Sequence, residues 1–383
     1  MSIFNELMEI GKDYNDLSNA IFKLRTMDCD VTKQIYIKCR EIIFKTKNHF
    51  SSRILMMLNT AARYNNRYIK AYCDIFRKIY IEFQPNLNKS FSDLFDCITY
   101  EEYYKKDPFD FLQENEIIKA IMEDDKEKLK TIIDGDNFDK NQTIKSRFFP
   151  NPEDGLSLIE LCCYYGSIEC FMLLRKELAT PITPLCLQFS IMNGNTYIMT
   201  ESLKEQKPDE ECMKYAIISH NIDMINFLQK GYEVEIKIQD CNDYHNYEVF
   251  SIYLDQTKNF ESSLVYSTNF PISSLCEYLI SHGANVNETD ATKNTSLHHA
   301  ATYNCEGIAE ILIMNGAKIE ARNNCDETPL MYASLADSVE VAKLLISHGA
   351  NKNAVDKIRE NSLMKAATAK AKNVVVFWRH AGI

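Results

Sequence analysis

Apolar and small residues in the C-terminal third of the chain recur on one period. Leu264, Leu297, Leu330 and Leu363 stand 33 residues apart, as do Gly283, Gly316, Gly349 and Gly382, and Ala300, Ala333 and Ala366. Within each period the apolar spacing is helical twice over. In the third copy Leu330 and Ala333 lie on a first helix, and Val341, Leu344 and Leu345 on a second. Thr328 stands where a hydroxyl caps the first helix, and Pro329 takes its first position, where a missing N–H costs nothing. The recurring glycine supplies a left-handed stop after the second helix. Each copy is thus a helix pair that buries its apolar face only by stacking on a neighbour.

A strict 33-residue period with these offsets resembles the ankyrin repeat. Four units follow: Thr257–Thr289, Asp290–Arg322, Asn323–Val355 and Asp356–Ile383. Upstream the same pattern continues irregularly. Ser157 caps a pair with Cys162 in the alanine slot, Thr183-Pro184 opens another with Ser190 in that slot, and Asp209 opens a third around Ala216. Glu116 to Ile133, around Ala120, is a fourth. The slot positions run 120, 162, 190, 216, 267, 300, 333 and 366. The long step from 216 to 267 contains Tyr232 to Gln256, read as an inserted segment with at most one helix.

Residues 1–110 lack the period and are nearly free of glycine and proline, which predicts helices. Val31, Ile35, Cys39, Ile42 and Ile43 share one face of a predicted helix over Val31 to Lys47. Two more are predicted over Ser52 to Asn65 and Arg67 to Phe83, broken at Tyr64-Asn65-Asn66. The expected architecture is all-α: a helical N-terminal domain (1–112), degenerate ankyrin-like pairs (113–256) and four regular repeats (257–383) joined by short turns or β-hairpins.

Charge and cysteine content narrow the class. The chain has a net charge of -11, yet residues 31–80 hold eleven Lys or Arg against Glu41 and Asp74, while 101–140 hold thirteen acids against seven lysines. The basic stretch reads either as solvated faces packing near that acidic segment or as a docking surface for anionic lipid, nucleic acid or acidic protein through Lys33, Arg40 and Lys47. Thirteen cysteines, no CxxC pair, an acidic N-terminus without signal character and no membrane-length apolar run predict a soluble intracellular chain with buried reduced thiols. Cys325, in an inter-repeat turn, is the expected exposed exception.

No Gly-rich phosphate loop, HExxH or GxSxG is present. His298 lies where the repeat uses histidine within a turn, and His282 and His348 sit at helix ends. The reading is therefore no enzyme, no metal, no cofactor and no small-molecule substrate. A protein partner is expected on the concave surface of the repeats, at Ala291, Thr292, Asn294, Tyr303, Asn324, Cys325, Glu327, Leu335 and Ala336. The closing helix, Asn373 to His380, is apolar where a final repeat is normally polar. It is expected to fray, to bury itself in a partner or to self-associate through Phe377 and Trp378.

Longer stretches extend the resemblance. They are Tyr64-Asn-Asn-Arg-Tyr-Ile-Lys-Ala-Tyr72, Phe138-Asp-Lys-Asn-Gln-Thr-Ile-Lys-Ser146, Leu158-Ile-Glu-Leu-Cys-Cys-Tyr-Tyr-Gly166, Lys207 to Asn221, and Leu275 to Asn285. With them the chain resembles, over nearly its whole length, a trichomonad family of ankyrin proteins with a helical domain of unknown function ahead of the repeats. The resemblance implies architecture alone.

Overall fold

The computed structural model describes residues 2–46, 50–85, 115–136, 138–150 and 153–380. Among these residues five N-terminal helices come first: α1 (Ile3–Ile10), α2 (Lys12–Phe22), α3 (Cys29–Lys45), α4 (Ser51–Tyr64) and α5 (Ile69–Phe83). The break between α4 and α5 falls at Asn65 and a 3-10 turn, Asn66–Tyr68, as the sequence predicts. On α3 the residues Ile35, Cys39, Ile42 and Ile43 are buried, but Val31 is exposed. In the first turn of the helix the buried position is taken by Thr32 instead.

Among the described residues eighteen further helices follow, and they pair as nine units. These are α6 (Glu116–Met122) with α7 (Lys126–Ile133), α8 (Leu158–Tyr165) with α9 (Ile168–Leu178), α10 (Pro184–Asn193) with α11 (Thr196–Leu203), and α12 (Glu210–Ile218) with α13 (Ile222–Tyr232). Then come α14 (Ile238–Asp243) with α15 (Tyr247–Thr257), α16 (Phe260–Ser267) with α17 (Ser273–Ser281), and α18 (Ser296–Thr302) with α19 (Glu306–Met314). Last are α20 (Pro329–Leu335) with α21 (Val339–Ser347), and α22 (Ser362–Ala369) with α23 (Lys372–His380). The segment read as an insertion with at most one helix is instead a complete pair, α14 and α15. Its small residue is Cys241, which divides the long step into two short ones.

One backbone bond defines the unit. The N–H of residue i+5 donates to the carbonyl of the small residue i at Asp125–Ala120, Ser167–Cys162, Asn195–Ser190, Asn221–Ala216, Asn246–Cys241, Cys305–Ala300, Ser338–Ala333 and Ala371–Ala366. The intervening residue i+4 is left-handed every time: Asp124, Gly166, Gly194, His220, His245, Asn304, Asp337 and Lys370. At Ser267 the equivalent position is Pro271, whose ring fixes φ near -65°. There Phe270 N–H bonds Ser267 instead.

The units differ in what joins them. Loops of 14 residues, 282–295, 315–328 and 348–361, precede α18, α20 and α22, and each makes a hairpin-like finger. The first of these fingers carries the β-bridge Thr289 to Thr295. Between α9 and α16 only 179–183, 204–209, 233–237 and 258–259 separate successive pairs, too short for a finger. A two-stranded hairpin, β1 (Thr143–Ile144) with β2 (Leu156–Ser157), leads into α8.

The N-terminal helices cover the edge formed by the turns within the pairs, the end opposite the fingers. α1 packs on α15 and α17, and α2 on α15. Tyr247 donates to the Leu7 carbonyl at 2.8 Å, and Tyr278 to Glu6 at 2.8 Å. Arg67 donates to the Met122 and Tyr165 carbonyls at 2.8 and 3.0 Å, and Tyr164 donates to the Arg63 carbonyl at 2.9 Å. The buried Arg53 lies 3.6 Å over the Tyr303 ring and donates to the Thr268 carbonyl at 3.3 Å. One apolar core runs from Leu7 to Trp378, and a second, around Ile118, Leu161, Phe171 and Ile198, fills the first pairs of the array. Trp378 is 1 % exposed, so it belongs to the first core and is no docking residue; Val376 is exposed and Phe377 half-buried.

Two histidines seal this edge. His245 Nδ1 lies 2.9 Å from the Tyr14 hydroxyl, while His220 Nδ1 lies 3.0 Å from Asn19 Oδ1 and stacks on Phe22. Burial holds the His220 imidazole down at about 3, although its bond to the Tyr244 carbonyl pulls upward; Lys23 adds to the depression. His245 is also held far down, by burial and then by the Arg53 and His220 charges.

Because both folded values lie below the unfolded value of about 6.5, their contribution is complete above that pH and is lost progressively as pH falls, for His220 down to about 3. Each histidine should cost about 1.4 kcal/mol per pH unit in that window. Denaturant titrations between pH 7 and 4 should show this slope, and His220→Gln should flatten it; an unchanged slope would refute the account. A steric prediction is independent of pH. A Cβ built on Gly11 meets Tyr247 Cε1 at 2.1 Å, so Gly11→Ala should cost roughly 1–3 kcal/mol. Wild-type stability in that variant would contradict the packing of α1 on α15.

Candidate partner-binding surface

Each finger is built from the same three positions. Asp290 Oδ1 accepts from the Thr292 and Asn294 N–H groups at 2.8 and 2.9 Å. Asn323 Oδ1 accepts from Cys325 and Glu327 at 2.9 and 3.0 Å, and Asp356 Oδ1 from Ile358 and Glu360 at 3.0 and 2.8 Å. These are Asx turns, in which a short polar side chain satisfies the loop backbone. The tip residues Lys293, Asp326 and Arg359 are left-handed.

The opposite side of each Asx group clasps the first helix, at a residue nine further on. Asp290 pairs with His299 at 2.9 Å, Asn323 donates to the Tyr332 hydroxyl at 3.0 Å, and Asp356 pairs with Lys365 at 2.7 Å. Neighbouring fingers are also tied together, by Asn324 N–H to the Thr292 carbonyl at 2.9 Å and Lys357 N–H to Cys325 at 3.1 Å. Burial alone would raise the Asp290 carboxyl, but hydrogen bonds from His299, Thr292 and Asn294 bring it well below the carboxylate range. Burial would lower the Lys365 ammonium, yet its bonds to Asp356 and Glu327 hold it above the usual value. The fingers are therefore braced from within, with Asp290 and Asp356 turned inward onto the first helices.

Within this frame the nine expected contact residues divide. Ala291, Thr292, Asn324 and Cys325 stand together on the finger tips, exposed, and Leu335 is exposed at the end of α20. Ala336 is half-buried just beyond it. Glu327 is half-buried and bonded to Lys365 at 2.7 Å and to Asn323 at 3.0 Å, so it serves the clasp. Asn294 is buried between Thr292 and Asn323, bonded to both, and links fingers instead of facing a partner. Tyr303 points to the other edge and is taken by Arg53. The sequence reading missed the third finger. Adding one period to Asn324 and Cys325 gives Lys357 and Ile358, both exposed, and Ile358 is 71 % exposed.

The basic N-terminal stretch is largely engaged inside the molecule. Arg40 pairs with Glu82 at 2.8 Å and lies over Phe44; Lys33 is exposed, and Lys47 lies outside the described residues. Neither Arg53 nor Arg67 is a solvated face, since both donate to turn carbonyls of the solenoid. His298 is structural: its Nδ1 accepts from Thr295 N–H at 3.1 Å, which leaves Nε2–H to donate to the Glu327 carbonyl at 3.1 Å. Burial holds its value down at about 4 against the upward pull of the bond to the Glu327 carbonyl, and the His299 charge adds to the depression. His282 and His348 use Nδ1 on the carbonyls of Tyr278 and Leu344 at their own helix ends. Among the described residues no group of three or more His, Cys, Asp or Glu is arranged to hold a metal, and no helix is long and apolar enough to cross a membrane.

Comparison with known families follows this division. A domain of unknown function (DUF3447) matches residues 178–253, which span the fingerless pairs α10 to α15, and ankyrin repeats (many copies) match 297–346, across α18 to α21. The chain therefore carries a DUF3447 domain followed by ankyrin repeats. No curated protein matches it. Ankyrin repeats in general serve protein–protein interaction and are generally non-catalytic.

Thiol chemistry tests the register. Cys325 and Cys29 are exposed, the latter unforeseen, whereas Cys162 and Cys276 are buried. Alkylation of the native protein followed by mass spectrometry should label Cys325 and Cys29 well before those two. Labelling of Cys162 or Cys276 first would contradict the placement of the helices.

Proposed function

We propose that this chain is a non-catalytic scaffold of the trichomonad ankyrin family, working in a reducing compartment and binding a protein partner along its fingers and first helices. The observation that carries the reading is the division of the solenoid's two edges. Its turn edge is closed by the chain's own N-terminal helices, while Ala291, Thr292, Asn324 and Cys325 project from fingers whose backbone is already satisfied. A rigid loop loses little entropy on binding, so exposed side chains on it convert contact into affinity efficiently.

Full-length protein carrying Thr292→Lys, Asn324→Lys and Leu335→Ala should lose captured partners at least about tenfold, that is about 1.4 kcal/mol. Met27→Ala with Val31→Ala, both exposed, in the link before α3 and at its start, should leave capture unchanged. Equal recovery by the finger variant and the wild type, with melting unaltered, would end this reading.

A further inference from the structure

The last finger and the helix behind it differ in charge from the two preceding fingers, residues 282–295 and 315–328, each of which carries a net of -1. Residues 351–372 hold six Lys or Arg against Asp356 and Glu360, a net of +4 in a chain of net -11. Asp356 and Glu360 both turn onto Lys365, as does Glu327. Lys352, Lys357 and Arg359 are exposed and have no carboxylate partner among the described residues. Lys357 is fixed by its bond to the Asn324 carbonyl at 2.6 Å. The cations thus face outward while the acids are consumed inside.

The same finger exposes apolar side chains. Val355 and Ile358 stand on it, and Met364 stands on the helix behind, at the position that buries His298 and Met331 in the two preceding units. Ile358, between Lys357 and Arg359, is among the most exposed large apolar residues of the described chain. Such a pattern, an aliphatic centre ringed by unpaired cations, is complementary to a segment with the opposite charge and a matching apolar side chain.

We propose that the finger formed by residues 351–361, with Met364, docks an acidic segment of a partner protein that inserts an aliphatic side chain against Ile358. This rests on the reading of the fingers as a protein-binding face and specifies the partner's chemistry. The patch offers aliphatic side chains and no aromatic ring, which favours a peptide over the stacked bases of a single-stranded nucleic acid.

The test uses the full chain and three fluorescent synthetic peptides: a glutamate-rich peptide with one leucine, its glutamine analogue, and oligoglutamate without leucine. Anisotropy at low salt should show binding of the first only, the other two being at least about tenfold weaker. Raised salt, Lys357→Glu with Arg359→Glu, and Ile358→Ser should each weaken it about tenfold; all three positions are exposed, and melting should confirm an intact fold.

Equal binding of the glutamine analogue, or unchanged binding after charge reversal, would overturn the charge complementarity. Equal binding of oligoglutamate would overturn the apolar contact. Stronger binding of a single-stranded oligonucleotide or of phosphatidylserine vesicles would reassign the patch. So would a doubled mass abolished by the charge reversal. If no peptide binds but the wild-type chain still captures partners that the Thr292, Asn324 and Leu335 variant loses, the acidic-segment proposal falls and the finger reading survives. Failure of both assays removes both.

Discussion

The array depends on how closely consecutive first helices can approach. At the point of approach every unit has Ala, Cys or Ser, and all of these side chains are buried. A larger group there would hold the helices apart and leave each pair with an apolar face that it cannot bury alone. At eight of the nine units the same residue receives the bond from five positions on, so one site sets both the spacing between units and the turn inside each. Cys163 and Cys276 show that buried thiols elsewhere in the array act likewise as small apolar groups.

That turn forces a left-handed residue, and the chain uses its side chain in two ways. Asp124, Asn304 and Asp337 cap the second helix of the next unit, accepting from Cys170 N–H at 3.0 Å, Val341 N–H at 3.2 Å and Val374 N–H at 2.7 Å. These are inter-unit N-caps that satisfy orphan helix donors. At His220 and His245 the same position is turned toward the N-terminal helices instead. An imidazole tolerates the left-handed conformation better than most side chains, and here it is also long enough to bridge the two layers. The strain is accepted because the side chain adds a buried polar tie between the two bodies, beside those made by Arg53, Arg67, Tyr164 and Tyr247.

The regular repeats were legible because their signal is periodic and mechanical. Thr328 with Pro329, Ala333 and Gly349 each do what their spacing implies: the threonine accepts from Met331 N–H, the alanine is buried and the glycine is left-handed. The pair α14 and α15 was missed because Cys241 lies in a short helix flanked by Asn, Asp and Tyr, whose composition suggests a loop. Packing against α16 and the N-terminal helices outweighs that preference. The fates of Tyr303 and Asn294 were illegible for another reason. Arg53 and Tyr303 lie 250 positions apart in the sequence, and a finger position that is exposed in an isolated repeat is buried once the neighbouring finger bonds to it. Non-local occupancy of this kind leaves no trace in local spacing.

The alternation between fingerless and fingered units also explains why the chain has two distinct edges. A step of 25 to 28 residues accommodates two helices and two turns, with nothing left to project, and the added residues of the 33-residue step are those of the finger. In the fingerless stretch, side chains such as Tyr164, Tyr165, His220 and Tyr247 face the turn edge and hold the N-terminal helices. In the fingered stretch, Asx turns and clasps absorb the acids and leave the tips free to vary without disturbing the stack. Thr292, Cys325 and Ile358 occupy one structural position with three chemistries. A position held in place by its neighbours' backbone but unconstrained in its own side chain is where recognition can change while the fold does not.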